Sequence, residues 1–193
     1  MKPIRVPGAV EWSHYFLRGC VTEGDSVVDA TAGNGYDTLF LAKLVGEHGK
    51  VHAFDVQSAA LDSTSERLQE AGVLSRCTLY HRGHEEMSQV LPMGAYAAII
   101  FNLGYLPGGD RTRITRSQTT LEALRQAEDL LAPGGVLVVV TYPGHEGGWE
   151  EASAVAAHIS ELESPQWNVQ HIRRANLSHA RPPECWAAVR RPA

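Results

Sequence analysis

The sequence predicts an α/β protein built on a mostly parallel seven-stranded sheet. Five short apolar runs alternate with segments of helical length, and most of these runs lack regular polar alternation, as expected for strands buried on both faces. Two further runs, at 167–173 and 184–190, follow one another without an intervening helix, which predicts an antiparallel pair and an antiparallel last strand. The five parallel strands are predicted at 26–30, 51–56, 78–81, 96–102 and 136–142.

Helices are predicted between these strands from apolar residues at three- and four-residue spacing. The run Pro133-Gly134-Gly135 predicts the end of the longest helix and a turn into the next strand. A short helix at 10–17 is expected to cover the functional site. The helices between strands are predicted at 37–45, 58–71, 84–90, 115–131 and 149–162.

Length and composition favour one domain over residues 1–193, with 44% hydrophobic residues to build its core. Three scattered cysteines without a C-x-x-C pair predict neither a disulfide framework nor a metal site, and favour a reducing cytoplasm. No apolar run approaches the roughly 20 residues of a membrane span. Residues 1–24 lack the order of a signal peptide. We therefore expect a cytoplasmic protein without membrane attachment; its oligomeric state stays open, with a homodimer as one option.

The net charge of −5 argues against broad, non-specific binding to nucleic acids, because that mode rests on many phosphate contacts. Local basic patches remain, and arginine contacts phosphate in a planar, bidentate way. Solvated helix faces are the alternative interpretation of such clusters. The arginines concerned form two groups, Arg111, Arg113 and Arg116 in one, and Arg173, Arg174 and Arg181 in the other.

A glycine-containing turn after the first strand is the most informative motif. Residues 29–38 read DATAGNGYDT, and Asp55 ends the next strand, where a carboxylate accepts ribose hydroxyls. A dinucleotide turn has a third glycine where Thr38 stands, and Asp29 and Asp37 repel a pyrophosphate but suit the ammonium and hydroxyl groups of S-adenosylmethionine. The turn predicts a methyl-donor site, with a nicotinamide cofactor as the weaker alternative. The predicted cofactor-binding residues are Asp29, Thr31, Gly33, Asn34, Gly35, Asp37, Thr38, Asp55, Gln57, Gly83 and His84.

A second motif follows the fourth strand, where residues 101–110 read FNLGYLPGGD. Ligands of open parallel sheets lie beyond the carboxyl ends of the strands, so this loop faces the same crevice as the turn. Asn102 and neighbouring backbone carbonyls are predicted to hold an amine N–H with its lone pair aimed at the methyl group, while Tyr105 stacks on a flat substrate. The pattern compares with the Asn-Pro-Pro-Tyr motif of amino methyltransferases.

Together with the run YPGHEGG at 142–148, these motifs resemble the bacterial proteins labelled as rRNA methylases, the MnmM or YtqB type, over essentially the whole chain. The resemblance implies a class I methyltransferase fold, which is Rossmann-like, and dependence on S-adenosylmethionine. It further implies methylation of the amine of 5-aminomethyl-(2-thio)uridine at the tRNA wobble position. The expected partner is therefore tRNA, held by its anticodon stem-loop.

The remaining predicted site residues face the substrate. Asn102 is expected to position the amine rather than to act as a base, because an amide has no basic pKa near neutrality. Structural roles are the alternative for His84, Asp110 and His145. Methylation of rRNA or of a small-molecule amine, and cofactor binding without catalysis, are the alternative functions. Besides the catalytic pair Asn102 and Tyr105, the predicted substrate-binding residues are Leu103, Gly104, Asp110, Arg111, Arg113, Arg116, Tyr142 and His145.

Overall fold

A computed structural model describes residues 5–104, 116–145, 147–176 and 181–192. Its centre is a seven-stranded sheet in the order β3-β2-β1-β4-β5-β7-β6. The pairings among β1 to β5 are parallel, and β7 runs antiparallel to both of its neighbours, β5 and β6, so the predicted fold class and the antiparallel last strand are confirmed. The strands are β1 (Ser26–Asp29), β2 (Lys50–Asp55), β3 (Cys77–His81), β4 (Tyr96–Asn102), β5 (Leu131–Thr141), β6 (Trp167–Ile172) and β7 (Glu184–Arg190).

Helices cover both faces of the sheet. They are α1 (Ala9–Cys20), α2 (Tyr36–Leu44), α3 (Ser58–Glu70), α4 (Ser117–Leu130) and α5 (Gly148–Ser160). Alternate residues of β4 enter two separate cores, with Ile99 packed in the core that holds α4 and α5, and Ile100 packed in the core that holds α1 and α2. This arrangement explains the continuous apolar character of the central strands. The predicted helical segment after β3 is a 3₁₀ helix, His84–Gln89.

The Pro-Gly-Gly run lies inside β5, whereas the sequence predicts it between the helix and the strand. α4 ends at Leu130, because Leu131 already has an extended backbone and pairs with Tyr96 of β4. The next registered pair joins Ala98 to Val136, so Pro133 and the two glycines form an irregular stretch inside β5. The helix therefore stops at Leu130, three residues before the proline, because the next residue already belongs to the sheet.

The sheet order places a crevice beside β1. The chain moves outward from β1 to β3 and then returns to form β4 on the other side of β1. At such a reversal the loops that leave neighbouring strands diverge, and ligands of open α/β sheets bind there. No described helix is both long and apolar enough to cross a membrane.

Candidate functional site

A cavity of about 700 Å³ lies at the carboxyl ends of β1, β2 and β4. Apolar side chains such as Phe54 and Val56 form part of its wall, and polar groups come from the loops after five strands. The predicted site residues that line this cavity are Thr31, Gly33, Asn34, Asp37, Asp55, Gln57, Gly83, His84, Asn102, Leu103, Gly104, Arg116, Tyr142 and His145. The structure thus brings both predicted motifs to one cavity.

The glycine turn is built against α3. Gly35 has a φ of 76°, and an added Cβ there would lie 2.8 Å from the backbone Cα of Thr64. The Thr64 hydroxyl donates to the Gly33 carbonyl at 3.0 Å, and Arg67 Nε donates to the Asn34 carbonyl at 2.7 Å. Gly35 is therefore required by the backbone and by the close approach of α3, and it does not line the cavity.

Asp29 lies behind the turn and is fully buried. Its carboxylate accepts hydrogen bonds from the Thr31 backbone N–H at 3.1 Å and from the Thr38 hydroxyl at 2.6 Å. Burial, and then the neighbouring charge of Asp37, raises the pKa of Asp29 to about 7, although the two hydrogen bonds oppose this shift. Asp29 and Thr38 were predicted to contact the cofactor, but neither lines the cavity, so the structure gives them a supporting position.

Asp55 joins two loops with its two carboxylate oxygens. Oδ2 accepts from the Gly33 backbone N–H at 2.9 Å, and Oδ1 accepts from the Gln57 backbone N–H at 2.8 Å. The side chain also lines the cavity, where its remaining lone pairs can accept further hydrogen bonds. Asp55 therefore fixes the turn that it faces, a role that the sequence motif did not predict.

A hydrogen-bonded row of three side chains crosses the cavity wall. His14 Nε2 lies 2.7 Å from Asp37 Oδ1, and Asn102 Nδ2 donates to Asp37 Oδ2 at 2.9 Å. The His14 ring is stacked on Phe40 with ring centroids 3.8 Å apart. Asp37 is 6% exposed and lines the cavity. Because Asp37 accepts from the amide nitrogen of Asn102, the orientation of that amide is fixed.

The backbone of Asn102 is held as firmly as its side chain. Its N–H donates to the Thr31 hydroxyl at 2.7 Å, which ties the end of β4 to the glycine turn. Tyr142 shares a side-chain hydrogen bond with Asn102. Burial, followed by the nearby charge of Asp37, raises the pKa of the Tyr142 hydroxyl, so this group is neutral at physiological pH.

His84 follows β3 and lines the cavity. Its side chain hydrogen-bonds the backbone of Ala30, and burial lowers the pKa of its imidazole. Nε2 is buried and has no hydrogen-bond partner within the described residues, since the nearby Glu85 Oε2 is 4.0 Å away. A buried polar atom at a cavity wall is a natural contact for a ligand.

Four predicted residues, Tyr105, Asp110, Arg111 and Arg113, lie outside the described residues. Sequence reasoning missed His14, although it placed a covering helix at 10–17, and it also missed Arg181 as a cavity-lining residue. The first had no signal because its contact depends on the packing of α1. The second belonged to a basic cluster that the sequence did not connect to this cavity.

Comparisons with known proteins agree with this architecture. The family described as "Putative rRNA methylase" matches residues 51–188. An Arabidopsis thaliana protein named tRNA (mnm(5)s(2)U34)-methyltransferase, chloroplastic, is 42% identical over 168 residues, which is 82% of this chain but only 61% of that protein. The chain thus spans about three fifths of the length of this curated relative.

Two solved structures resemble the whole chain. A "putative rRNA-methylase" from Clostridium thermocellum has a TM-score of 0.92 and 38% identity, with 97% of this chain and 100% of that chain covered. A "putative methyltransferase" from Streptococcus mutans, solved in complex with SAH, has a TM-score of 0.86 and 33% identity, with 96% of this chain and 99% of that chain covered. The chain therefore belongs to this rRNA methylase family and has the class I methyltransferase fold.

Proposed function

We propose that this protein is an S-adenosylmethionine-dependent N-methyltransferase that acts on 5-aminomethyl-(2-thio)uridine at the tRNA wobble position and produces the 5-methylaminomethyl form. The observation that carries the proposal is the fixed amide of Asn102 at the end of β4. Its nitrogen donates to Asp37 and its carbonyl oxygen has two lone pairs, so this oxygen is the end of the amide that can accept an amine N–H beside the Tyr142 hydroxyl. The name of the plant relative supports the choice of substrate.

The cavity suits the proposed methyl donor. Asp55 presents a carboxylate beside the glycine turn for ribose hydroxyls, and Asp37 supplies negative charge for an ammonium or sulfonium group. Nε2 of His84, which has no partner among the described residues, and the apolar side chain of Phe54 line the same cavity and suit the polar edge and the flat face of a purine. Acidic groups at the turn disfavour the pyrophosphate of a nicotinamide cofactor.

S-adenosylmethionine, when bound, supplies an electrophilic methyl group on a positively charged sulfur. The protein has to present the substrate amine without a proton and in line with that methyl group. An alkylammonium loses one proton to solvent before attack, and the secondary ammonium formed afterwards carries the charge that the sulfonium loses. The Tyr142 ring limits solvation of the amine, which lowers the pKa of an ammonium and favours its reactive form. Asn102 orients the amine.

A direct assay tests the proposal. The protein is incubated with labelled S-adenosylmethionine and with tRNA that carries 5-aminomethyl-2-thiouridine, and the labelled nucleoside is identified by mass spectrometry after digestion. We expect label in 5-methylaminomethyl-2-thiouridine. A matched tRNA without the aminomethyl group and the Asn102→Ala variant are the controls. Label in another nucleoside, or none with a cofactor-binding protein, would contradict the proposal.

The description of the matched family supports rRNA as a second candidate substrate. The same assay with ribosomal RNA separates the two, because methylation of a nucleobase in rRNA would place the label in a different nucleoside. The Arabidopsis relative is named as chloroplastic. A cytoplasmic location and a homodimer remain predictions for this chain, which fractionation and light scattering can test.

A further inference from the structure

A small basic cleft lies beside the main cavity, between the start of α5, the end of β6 and the start of β7. Its volume is about 220 Å³. Arg181 lines both this cleft and the main cavity, so the two are adjacent. The cleft is lined by Pro143, Trp149, Arg173, Arg174, Ala175, Arg181, Pro182 and Glu184, which we call the arginine cleft.

The arginine cleft is positively charged, whereas the whole chain has a net charge of −5. Three guanidinium groups face one carboxylate, Glu184, and this carboxylate already contacts His171 Nε2 at 2.7 Å. Arg173 and Arg174 are exposed and have no ion pair with the described part of the chain. Elsewhere arginines such as Arg67 bind backbone carbonyls of the protein itself. The cleft therefore offers unused guanidinium donors, which suit phosphate.

An aromatic ring completes the cleft. Trp149 is 50% exposed although it is a large apolar side chain, and the guanidinium of Arg181 lies 4.2 Å from its ring centroid. An exposed indole beside arginines is the combination by which proteins bind single-stranded RNA, since a base stacks on the ring and the arginines hold the backbone. An acidic peptide needs the positive charge but gains little from an exposed ring.

We propose that the arginine cleft binds a nucleotide next to the target nucleotide, with a base stacked on Trp149 and the adjoining phosphate held by Arg173 and Arg174. This inference rests on the proposed function, because it assumes that RNA enters the main cavity. The shared residue, Arg181, lies where the RNA strand would pass from the arginine cleft to the main cavity. Local charge thus allows an acidic protein to bind RNA.

The test measures binding of a synthetic anticodon stem-loop that carries 5-aminomethyluridine. Trp149→Ala should weaken binding by about 5- to 150-fold, which is the effect of losing one stacked base. The variant R173A/R174A should reduce the slope of log Kd against log salt by about one for each lost phosphate contact. Both variants should retain the wild-type kcat at saturating stem-loop. Arg125→Ala, which removes an exposed arginine of α4 away from both cavities, is the matched control.

Each variant should bind S-adenosylhomocysteine with wild-type affinity, because the arginine cleft lies outside the predicted cofactor contacts. Calorimetry of this binding checks that each variant is folded. Unchanged affinity and salt slope in both cleft variants would overturn the proposal and leave the cleft for an anionic partner of another class. If wild-type protein fails to methylate the stem-loop but the cleft variants still lose affinity for it, the proposed function fails and the cleft as an RNA site survives. If wild-type protein methylates and the variants bind normally, only the cleft proposal fails.

Discussion

Replacement of Asn102 by alanine tests whether its fixed amide orients the substrate. The Asn102 nitrogen is bound to the Asp37 carboxylate at 2.9 Å, and its backbone is tied to Thr31 at 2.7 Å, so the alanine variant should keep its local backbone while losing the side-chain acceptor. Misplaced reacting groups lower rates by about 10²-fold. This corresponds to about 2.7 kcal/mol in activation free energy. We expect such a loss in kcat with little change in the Kd of cofactor or tRNA.

A double-mutant cycle with Asp37→Ala sharpens this prediction. A hydrogen bond to a charged group contributes about 1.5–3 kcal/mol to stability. If this energy serves to hold Asn102 in its reactive orientation, Asp37→Ala alone should lower kcat by about 10-fold or more, up to the roughly 10²-fold loss expected for Asn102→Ala. If Asp37 acts by holding Asn102, the double variant should lose little more than Asn102→Ala alone. Single-turnover rates at saturating cofactor and tRNA provide the measurement. Additive losses, or a near-native kcat in a folded Asn102→Ala variant, would refute the reasoning.

Three further predictions concern the glycine turn and its supports. Asp55→Ala should weaken S-adenosylmethionine binding by about 2 kcal/mol or more through lost charge-assisted hydrogen bonds, and an unchanged calorimetric Kd would remove this residue from the site. Gly35→Ala should lower the free energy of unfolding by more than about 1 kcal/mol, because its φ is 76° and Thr64 is 2.8 Å from the added Cβ. Gly19→Ala, which meets no atom within 4 Å in α1, should instead be neutral or stabilising in the same denaturant titration. Since the pKa of Asp29 is raised to about 7 in the folded protein, its contribution to stability is present below its unfolded pKa and is lost as pH rises through 7. Asp29→Asn should therefore gain stability relative to wild type between about pH 4 and pH 7, which are the unfolded and folded pKa values of Asp29, and a pH-independent difference would contradict the assignment.

The strands and the two motifs could be predicted from sequence because they depend on local patterns. Apolar runs place the strands, and the end of a parallel strand fixes which loops meet. The function of individual carboxylates depends on packing and was less predictable. Asp29 and Asp37 stand on either side of the same glycine turn, yet one is fully buried behind it and the other lines the cavity.

Contacts between distant segments were also beyond prediction. The bond between His14 and Asp37 joins residues 23 positions apart, and it exists only because α1 packs across the sheet. The end of α4 shows the same limit, since a pairing partner in β4 stops the helix before the proline does. Propensity rules describe a segment alone, while these features depend on what the segment meets.

The position of β7 has a consequence for synthesis on the ribosome. β7 is the last strand in chain order, but it lies between β5 and β6, and α1 packs against both β5 and β7. Because translation proceeds from the amino terminus, the edge of β5 and part of the apolar face of α1 stay exposed to solvent until β7 has been synthesised. Exposed edges and apolar faces attract chaperones and aggregate. Because α1 carries His14, we expect the contact between His14 and Asp37 to become fully stable only after β7 completes the face on which α1 packs.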